Sequence, residues 1–251
     1  MTASGCVAKP RLLERHFDEV GSTNFLLSRD EIHIWERQLT CDRYVIQTLG
    51  RLLDADELAR AARFRFPSNH DEFIVSRGTL RLLLGRYLNC SPAELRFTYS
   101  QYGRPQLDDF RLGERVEFNI SHSGDVVVLA FASCRRIGID IEQIRTDFST
   151  AEIAERFFSF AEREALRALP VEQQHAAFFT CWTRKEAFIK ALGEGLSHPL
   201  DQFDVSLTPG LPAALLATRP DPQDTRRWSL WNINVPVGYT GSLAAEIDSI
   251  Q

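Results

Sequence analysis

The stretch Trp182-Thr183-Arg184-Lys185-Glu186-Ala187-Phe188-Ile189-Lys190-Ala191-Leu192-Gly193 decides how this chain is read. Its pattern predicts the last turns of a long helix that starts after Pro170 and stops at Gly193, because proline and glycine punctuate helices in that order. Glu186 and Lys190 are four apart and share a helix face, with Trp182 one turn earlier on it. Alone, such a pair is ordinary support for a surface helix. An upstream segment changes its weight. In Ile137-Gly138-Ile139-Asp140-Ile141-Glu142 the three isoleucines point one way on a strand, and Asp140 and Glu142 point the other. Two carboxylates side by side on one strand face repel each other unless a positive charge, typically a divalent cation, lies between them. The bland alternative is a solvated strand face.

Working outward, the predicted elements mix strands and helices in both halves. A first strand is expected over Asp30 to Arg37. A helix follows the capping box Asp54-Ala55-Asp56-Glu57 and runs to about Phe64. Pro67 is expected to break it. A longer helix runs from about Asn69 to Tyr87, Ser91-Pro92 signals another helix start, and Leu95 to Tyr99 alternates like a strand. The second half is expected to open with strands at Val126 to Ala132 and Arg136 to Glu142. Helices follow at Thr150 to Phe157, Phe160 to Leu169 and Val171 to Leu192. Strands at Phe203 to Leu207, Trp228 to Asn234 and Gly238 to Ile247 close the chain. Residues 1 to 30 show no clear period. The fold class is therefore α+β.

Bulk properties fit a soluble globular protein. The chain has 251 residues, 44% hydrophobic and 25% charged, with a net charge of −5. That balance offers no general field for nucleic acid. The cysteines Cys6, Cys41, Cys90, Cys134 and Cys181 are scattered and odd in number, which points to reduced thiols and a cytoplasmic location. The first ten residues lack the apolar core of a secretory signal. The apolar run at Val126 to Ala132 is too short for a membrane span.

Four motifs in order carry a resemblance to a known family. These are Gly103-Arg104-Pro105, then Asn119-Ile120-Ser121-His122-Ser123, then Gly138-x-Asp140-x-Glu142, then Trp182-x-x-Lys185-Glu186-Ala187-x-x-Lys190. Together they resemble the signature of the 4′-phosphopantetheinyl transferases, of the larger surfactin-synthetase type. The resemblance covers about residues 54 to 207. Arg104 departs mildly, since many members carry lysine there, and the two cations do not bind alike.

The resemblance implies a fold of two similar α+β halves related by a pseudo-twofold axis, here residues 1–134 and 135–251, with the active site between them. It implies transfer of the phosphopantetheine arm of coenzyme A to a serine of an apo acyl or peptidyl carrier protein. Magnesium would be held by Asp140, Glu142 and Glu186, an all-oxygen set suited to a hard cation. Lys190 would hold the pyrophosphate, with Asp140 beside it. His122, helped by Ser121, would meet the 3′-phosphate of coenzyme A. Arg77 would also reach the nucleotide, as would Arg60 and Arg63, though arginines at three-residue spacing are common on any solvated helix. Gly103, Arg104 and Pro105 would shape the adenine pocket. Glu186 is the first candidate for the base.

Some readings stay open. Glu162 closes a capping box with Ser159, and a site role is the alternative. Arg156, Arg163 and Arg167 could rim a carrier-docking surface or simply pair with Glu155, Glu162 and Glu164. The resemblance implies a monomer, with neither nucleic acid nor membrane as partner. A hydrolase that splits coenzyme A with water, or a binding module without catalysis, would keep some of these residues. The intact set Asp140, Glu142, Glu186 and Lys190 argues against the binding module.

Overall fold

The computed structural model describes residues 9–21, 25–108 and 116–247. In chain order the elements are β1 (Arg11–His16), β2 (Glu31–Gln38), α1 (Arg43–Gly50), α2 (Ala55–Ala61), α3 (Pro67–Leu88), β3 (Phe97–Tyr99), β4 (Pro105–Leu107), β5 (Val116–Ser123), β6 (Val126–Ser133), β7 (Ile137–Gln143), α4 (Thr150–Phe157), α5 (Phe160–Arg167), α6 (Val171–Leu192), β8 (Phe203–Val205), β9 (Leu215–Thr218), α7 (Asp224–Arg227), β10 (Trp228–Asn232) and β11 (Tyr239–Glu246). One sheet has the order β1-β2-β6-β5 and a second the order β10-β11-β7. β1 runs parallel to β2, and the other pairs in these two sheets are antiparallel.

The two sheets lie face to face, with a long helix on each outer side. The residues of β6 explain why. Every position of this strand is buried, yet its side chains alternate between two cores. Val127, Leu129 and Phe131 join Val75, Leu80, Leu83 and Leu84 of α3. Val126, Val128, Ala130 and Ala132 join Ile137, Ile139 and Ile141 of β7 and Leu243 and Ala245 of β11. A strand covered on both faces reads as a continuous apolar run. Each such Val, Leu or Phe contributes about 1.5–3 kcal/mol on burial. On the far side of the second sheet, α6 supplies Ala187, Phe188, Ile189 and Ala191 to a third core with Trp228, Leu230 and Ala244. The order of layers is α3, first sheet, second sheet, α6, and each half carries one helix of 22 residues.

Gly138 sets how close α6 comes to β7. A Cβ at this position would lie 2.1 Å from the Ala187 carbonyl and 2.4 Å from the Ala191 nitrogen. Only glycine lets the helix backbone rest on the strand. That approach brings the Glu186 and Lys190 face of α6 to the Asp140 and Glu142 face of β7.

The two sheets are stitched where β5 meets β7. β7 is the edge of its sheet. Its outward N–H groups at Ile139 and Gln143 donate to Asn119 Oδ1 (2.9 Å) and Ser123 Oγ (3.0 Å) rather than to another backbone. Asn119, Ser121 and Ser123 alternate along β5, so all three point the same way.

Several expectations are corrected. Pro67 does not break a helix but begins α3 at its first position, where its missing N–H costs nothing. Val126–Ser133 belongs to the first sheet, not the second half, because β2 and β5 flank it. Ser91-Pro92 starts only a single 3₁₀ turn, Pro92–Glu94. β1, α1, β4, β5, β9 and α7 were not anticipated. The capping box at Asp54 is present in full. α6 ends as expected at Gly193, in the left-handed region at φ 81°.

Candidate active site

The site lies along the seam. Asp140 is 3% exposed. Its Oδ1 accepts from Lys190 Nζ at 2.6 Å and from Ser121 Oγ at 2.8 Å. Lys190 Nζ also donates to Ser121 Oγ at 2.9 Å. The other oxygen, Asp140 Oδ2, is buried without a hydrogen-bond partner. A buried carboxylate oxygen left bare is costly, so this atom marks a place for a positive group. One residue along the same strand face, Glu142 Oε2 accepts from Ser123 Oγ at 2.8 Å.

Electrostatics show the strain of assembling these acids. Burial pushes the Asp140 carboxyl up, against the pull of Lys190 and Ser121. Burial also raises Glu142, with Ser123 opposing and the Asp140 charge adding to the rise. Glu186 is raised to about 7, first by burial, with Lys190 opposing and both Asp140 and Glu142 reinforcing. The three carboxylates therefore feel one another. As arranged, the described residues hold no group of three or more His, Cys, Asp or Glu drawn together as a metal site. Lys190 supplies the positive charge on Asp140 instead. The bland alternative, a surface ion pair of Lys190 with Glu186, does not form; the ion pair goes to Asp140.

Two neighbouring cavities lie beside this cluster. The larger, about 620 Å³, is walled by Glu186 and Lys190, by Tyr102 to Pro105, and by Phe118, Asn119 and Ile120. The smaller, about 320 Å³, is lined by Arg60, Arg77, Glu72, Phe73 and His122, among others, and shares Gly103, Pro105 and Ile120 with the larger. Gly103 sits at φ 79° in a turn closed by its N–H to Ser100 O at 2.9 Å. The structure thus brings Arg60, Arg77, Gly103, Arg104, Pro105, His122, Glu186 and Lys190 to one cleft. It leaves Arg63 exposed and outside the lining residues.

The basic residues differ in how free they are. Arg77 Nε lies 3.2 Å from Glu57 Oε1, and its Nη2 donates to Tyr99 Oη at 2.9 Å. Burial lowers its pKa, partly offset by Tyr99 and Glu57. Arg60 stacks over the Phe73 ring at 5.5 Å. The His122 ring is open to solvent. Even so, the enclosing cleft walls and then the Lys190 charge hold it below the ordinary histidine pKa, against Glu72. It faces the smaller cavity.

Two motif residues prove to be core. Lys185 is fully buried. Its ammonium donates to Leu200 O and Phe203 O, each at 2.7 Å, and pairs with Glu162 Oε2 at 2.8 Å. Glu162 caps α5 as a full box with Ser159 and accepts from Val205 N at 2.8 Å. Its capping role stands, and its partner is Lys185 rather than the cleft. Trp182 packs against Phe157 and Phe178. Arg163 pairs with Glu155 at 2.8 Å, and Arg167 pairs with Glu155 and Glu164, the bland reading of those charges. Asn119 and Ser123 were overlooked as site residues. Their signal was the i, i+2, i+4 polar row within an alternating strand.

Comparison with known proteins decides the family. Residues 136–244 match the model described as 4′-phosphopantetheinyl transferase superfamily, and residues 40–134 match 4′-phosphopantetheinyl transferase, N-terminal. The 4′-phosphopantetheinyl transferase HetI of Nostoc sp. is 40% identical over 82% of this chain and 84% of its own length. The chain belongs to the 4′-phosphopantetheinyl transferase superfamily. A putative 4′-phosphopantetheinyl transferase of Synechocystis sp. is 35% identical over 75% of each chain. The 4′-phosphopantetheinyl transferase Sfp of Bacillus subtilis is 36% identical over 62% of this chain and 66% of its own. The four motifs fall on the β3–β4 turn, β5, β7 and α6. No helix of the described residues is long and apolar enough to cross a membrane.

Proposed function

We propose that this chain moves the 4′-phosphopantetheine arm of coenzyme A to a serine hydroxyl of an apo carrier protein and releases adenosine 3′,5′-bisphosphate. The observation that carries the reading is the Lys190–Asp140–Ser121 contact, set beside Glu186 in a cleft that shares Gly103, Pro105 and Ile120 with the His122 and Arg77 pocket. In the transfer, the serine oxygen bonds to the phosphorus that bears the arm. The bond from that phosphorus to the bridging oxygen breaks, and its electrons leave with the nucleotide. The serine proton goes to Glu186, directly or through a water, the carboxylate placed beside Lys190 in the cleft. Lys190 neutralises charge building on the pyrophosphate.

Asp140, Glu142 and Glu186 would hold magnesium. The bare Asp140 Oδ2 and the mutual elevation of the acids fit a hard cation with oxygen ligands. When bound, such a cation screens the pyrophosphate charge. His122, Arg77 and Arg60 would meet the nucleotide phosphate, with Gly103, Pro105 and the backbone of Arg104 beside the adenine. The protein would act as a cytoplasmic monomer, with residues 1–134 contributing nucleotide contacts and 135–251 the acids.

The test incubates the protein with apo carrier protein, coenzyme A and magnesium. The expected result is the phosphopantetheine mass on the carrier serine. Cleavage of coenzyme A at the same rate without carrier would favour a hydrolase instead. A second measurement addresses His122. A charge-assisted contact is worth about 1.5–3 kcal/mol, so dephospho-coenzyme A should bind at least roughly tenfold more weakly than coenzyme A. His122→Ala should shrink that gap. Equal affinity for both ligands in calorimetry would remove His122 from the phosphate site.

A further inference from the structure

Arg104 occupies the position expected to face the nucleotide, yet its guanidinium is engaged by the protein itself. Nη1 donates to the Lys190 carbonyl at 2.9 Å. Nη2 reaches the Phe118 carbonyl at 3.3 Å and the Ile137 carbonyl at 3.4 Å, and lies 3.6 Å from Glu117 Oε2. These acceptors sit on α6, β5 and β7, so one side chain ties both sheets to the end of the helix. Lys190 O belongs to the last turn of α6, where it also accepts from Gly193 N at 3.2 Å, so Arg104 shares this carbonyl with the N–H that closes the helix. A cation is favoured at that end of the dipole. The planar fork of an arginine can serve several such acceptors in fixed geometry, and a lysine cannot. The same residue, Lys190, places its ammonium 2.6 Å from Asp140 Oδ1.

We infer that Arg104 is a positioning residue: it pins the Lys190 carbonyl to β5 and β7 and so sets where the Lys190 ammonium stands. The kinetic side of this inference rests on the transferase reading above. A displacement of about 1 Å in a positioned group can cost roughly a hundredfold in rate. Arg104→Ala should therefore lower kcat about tenfold or more, with coenzyme A affinity by calorimetry within about threefold of wild type. Arg104→Lys should restore little, because the charge returns without the fork. Methylguanidinium added to the alanine variant should recover part of kcat, and methylammonium should not. Amide exchange at residues 190–193 should speed up in both variants.

A tenfold loss of coenzyme A affinity with kcat intact at saturation would make Arg104 a ligand contact and overturn the inference. Unchanged amide exchange at residues 190–193 would also overturn it. If the alanine variant fails to fold, the lysine variant carries the same measurements. If wild-type protein transfers nothing, the transferase reading fails, while amide exchange and calorimetry still decide the role of Arg104.

Discussion

Glu186→Gln is expected to abolish transfer and, at the same time, to stabilise the metal-free protein. Both effects follow from the same three carboxylates. Removing one preorganised electrostatic group from a transition state costs about 10²–10³-fold, and Glu186 is assigned two duties, so the loss should be at the upper end or beyond. The stability gain comes from the raised carboxyl. The folded pKa of Glu186, about 7, exceeds its ordinary value of 4.5. The folded state therefore holds a proton that the unfolded chain gives up. The contribution of this group to stability is highest below pH 4.5 and falls as pH rises from there to about 7. Above that window the penalty is complete, about 3 kcal/mol. Glutamine fills the same space without the charge and escapes the penalty. Urea melts in chelator should show the variant more stable than wild type at pH 8 and equal to it near pH 4.5. Adding magnesium should raise the wild-type midpoint and leave that of the variant nearly unchanged. A variant less stable than wild type at pH 8 would mean that the carboxylates are not held against their mutual repulsion. Asp140→Asn should lose transfer to a similar degree. It should show less stability gain, because Lys190 and Ser121 already satisfy one oxygen of Asp140.

Much of this arrangement was legible because it is local. The glycine stop of α6, the capping boxes at Asp54 and Ser159, and the alternation of Ile137, Ile139 and Ile141 against Asp140 and Glu142 are set by neighbours a few residues apart. The spatial partners were not legible. Lys185 and Lys190 lie on the same helix, five residues apart, and nothing in their spacing says that one enters a core and the other a cleft. That division depends on Glu162, Leu200 and Phe203 arriving from other elements. β5 was read as a motif rather than as a strand, although Val116, Phe118 and Ile120 alternate with Glu117, Asn119 and Ser121. β6 was grouped with β7, since a fully apolar strand says nothing about which sheet it joins. α1 is short, and only Asp42 with Val45, Ile46 and Leu49 hinted at it.

Lys185→Met should be among the most destabilising single changes in the chain. Lys185 carries a full charge in the core, where it is compensated by Glu162 and by two carbonyls. Methionine fills the volume but leaves Glu162 with its backbone N–H donors alone, and it leaves Leu200 O and Phe203 O without the donor that joined them. Breaking one side of a buried pair costs about 3–5 kcal/mol. The double change Lys185→Met with Glu162→Gln should recover part of this, because the stranded charge disappears while Val205 N and Ser159 N keep an acceptor. The same coupling measured as a double-mutant cycle should be large, since the two residues touch. Transfer per folded molecule should stay near wild type in conditions where each variant remains folded, because the ammonium of Lys185 points into the core under Phe203 and not into the cleft. A variant that melts like wild type yet has lost transfer would move Lys185 from the scaffold to the chemistry.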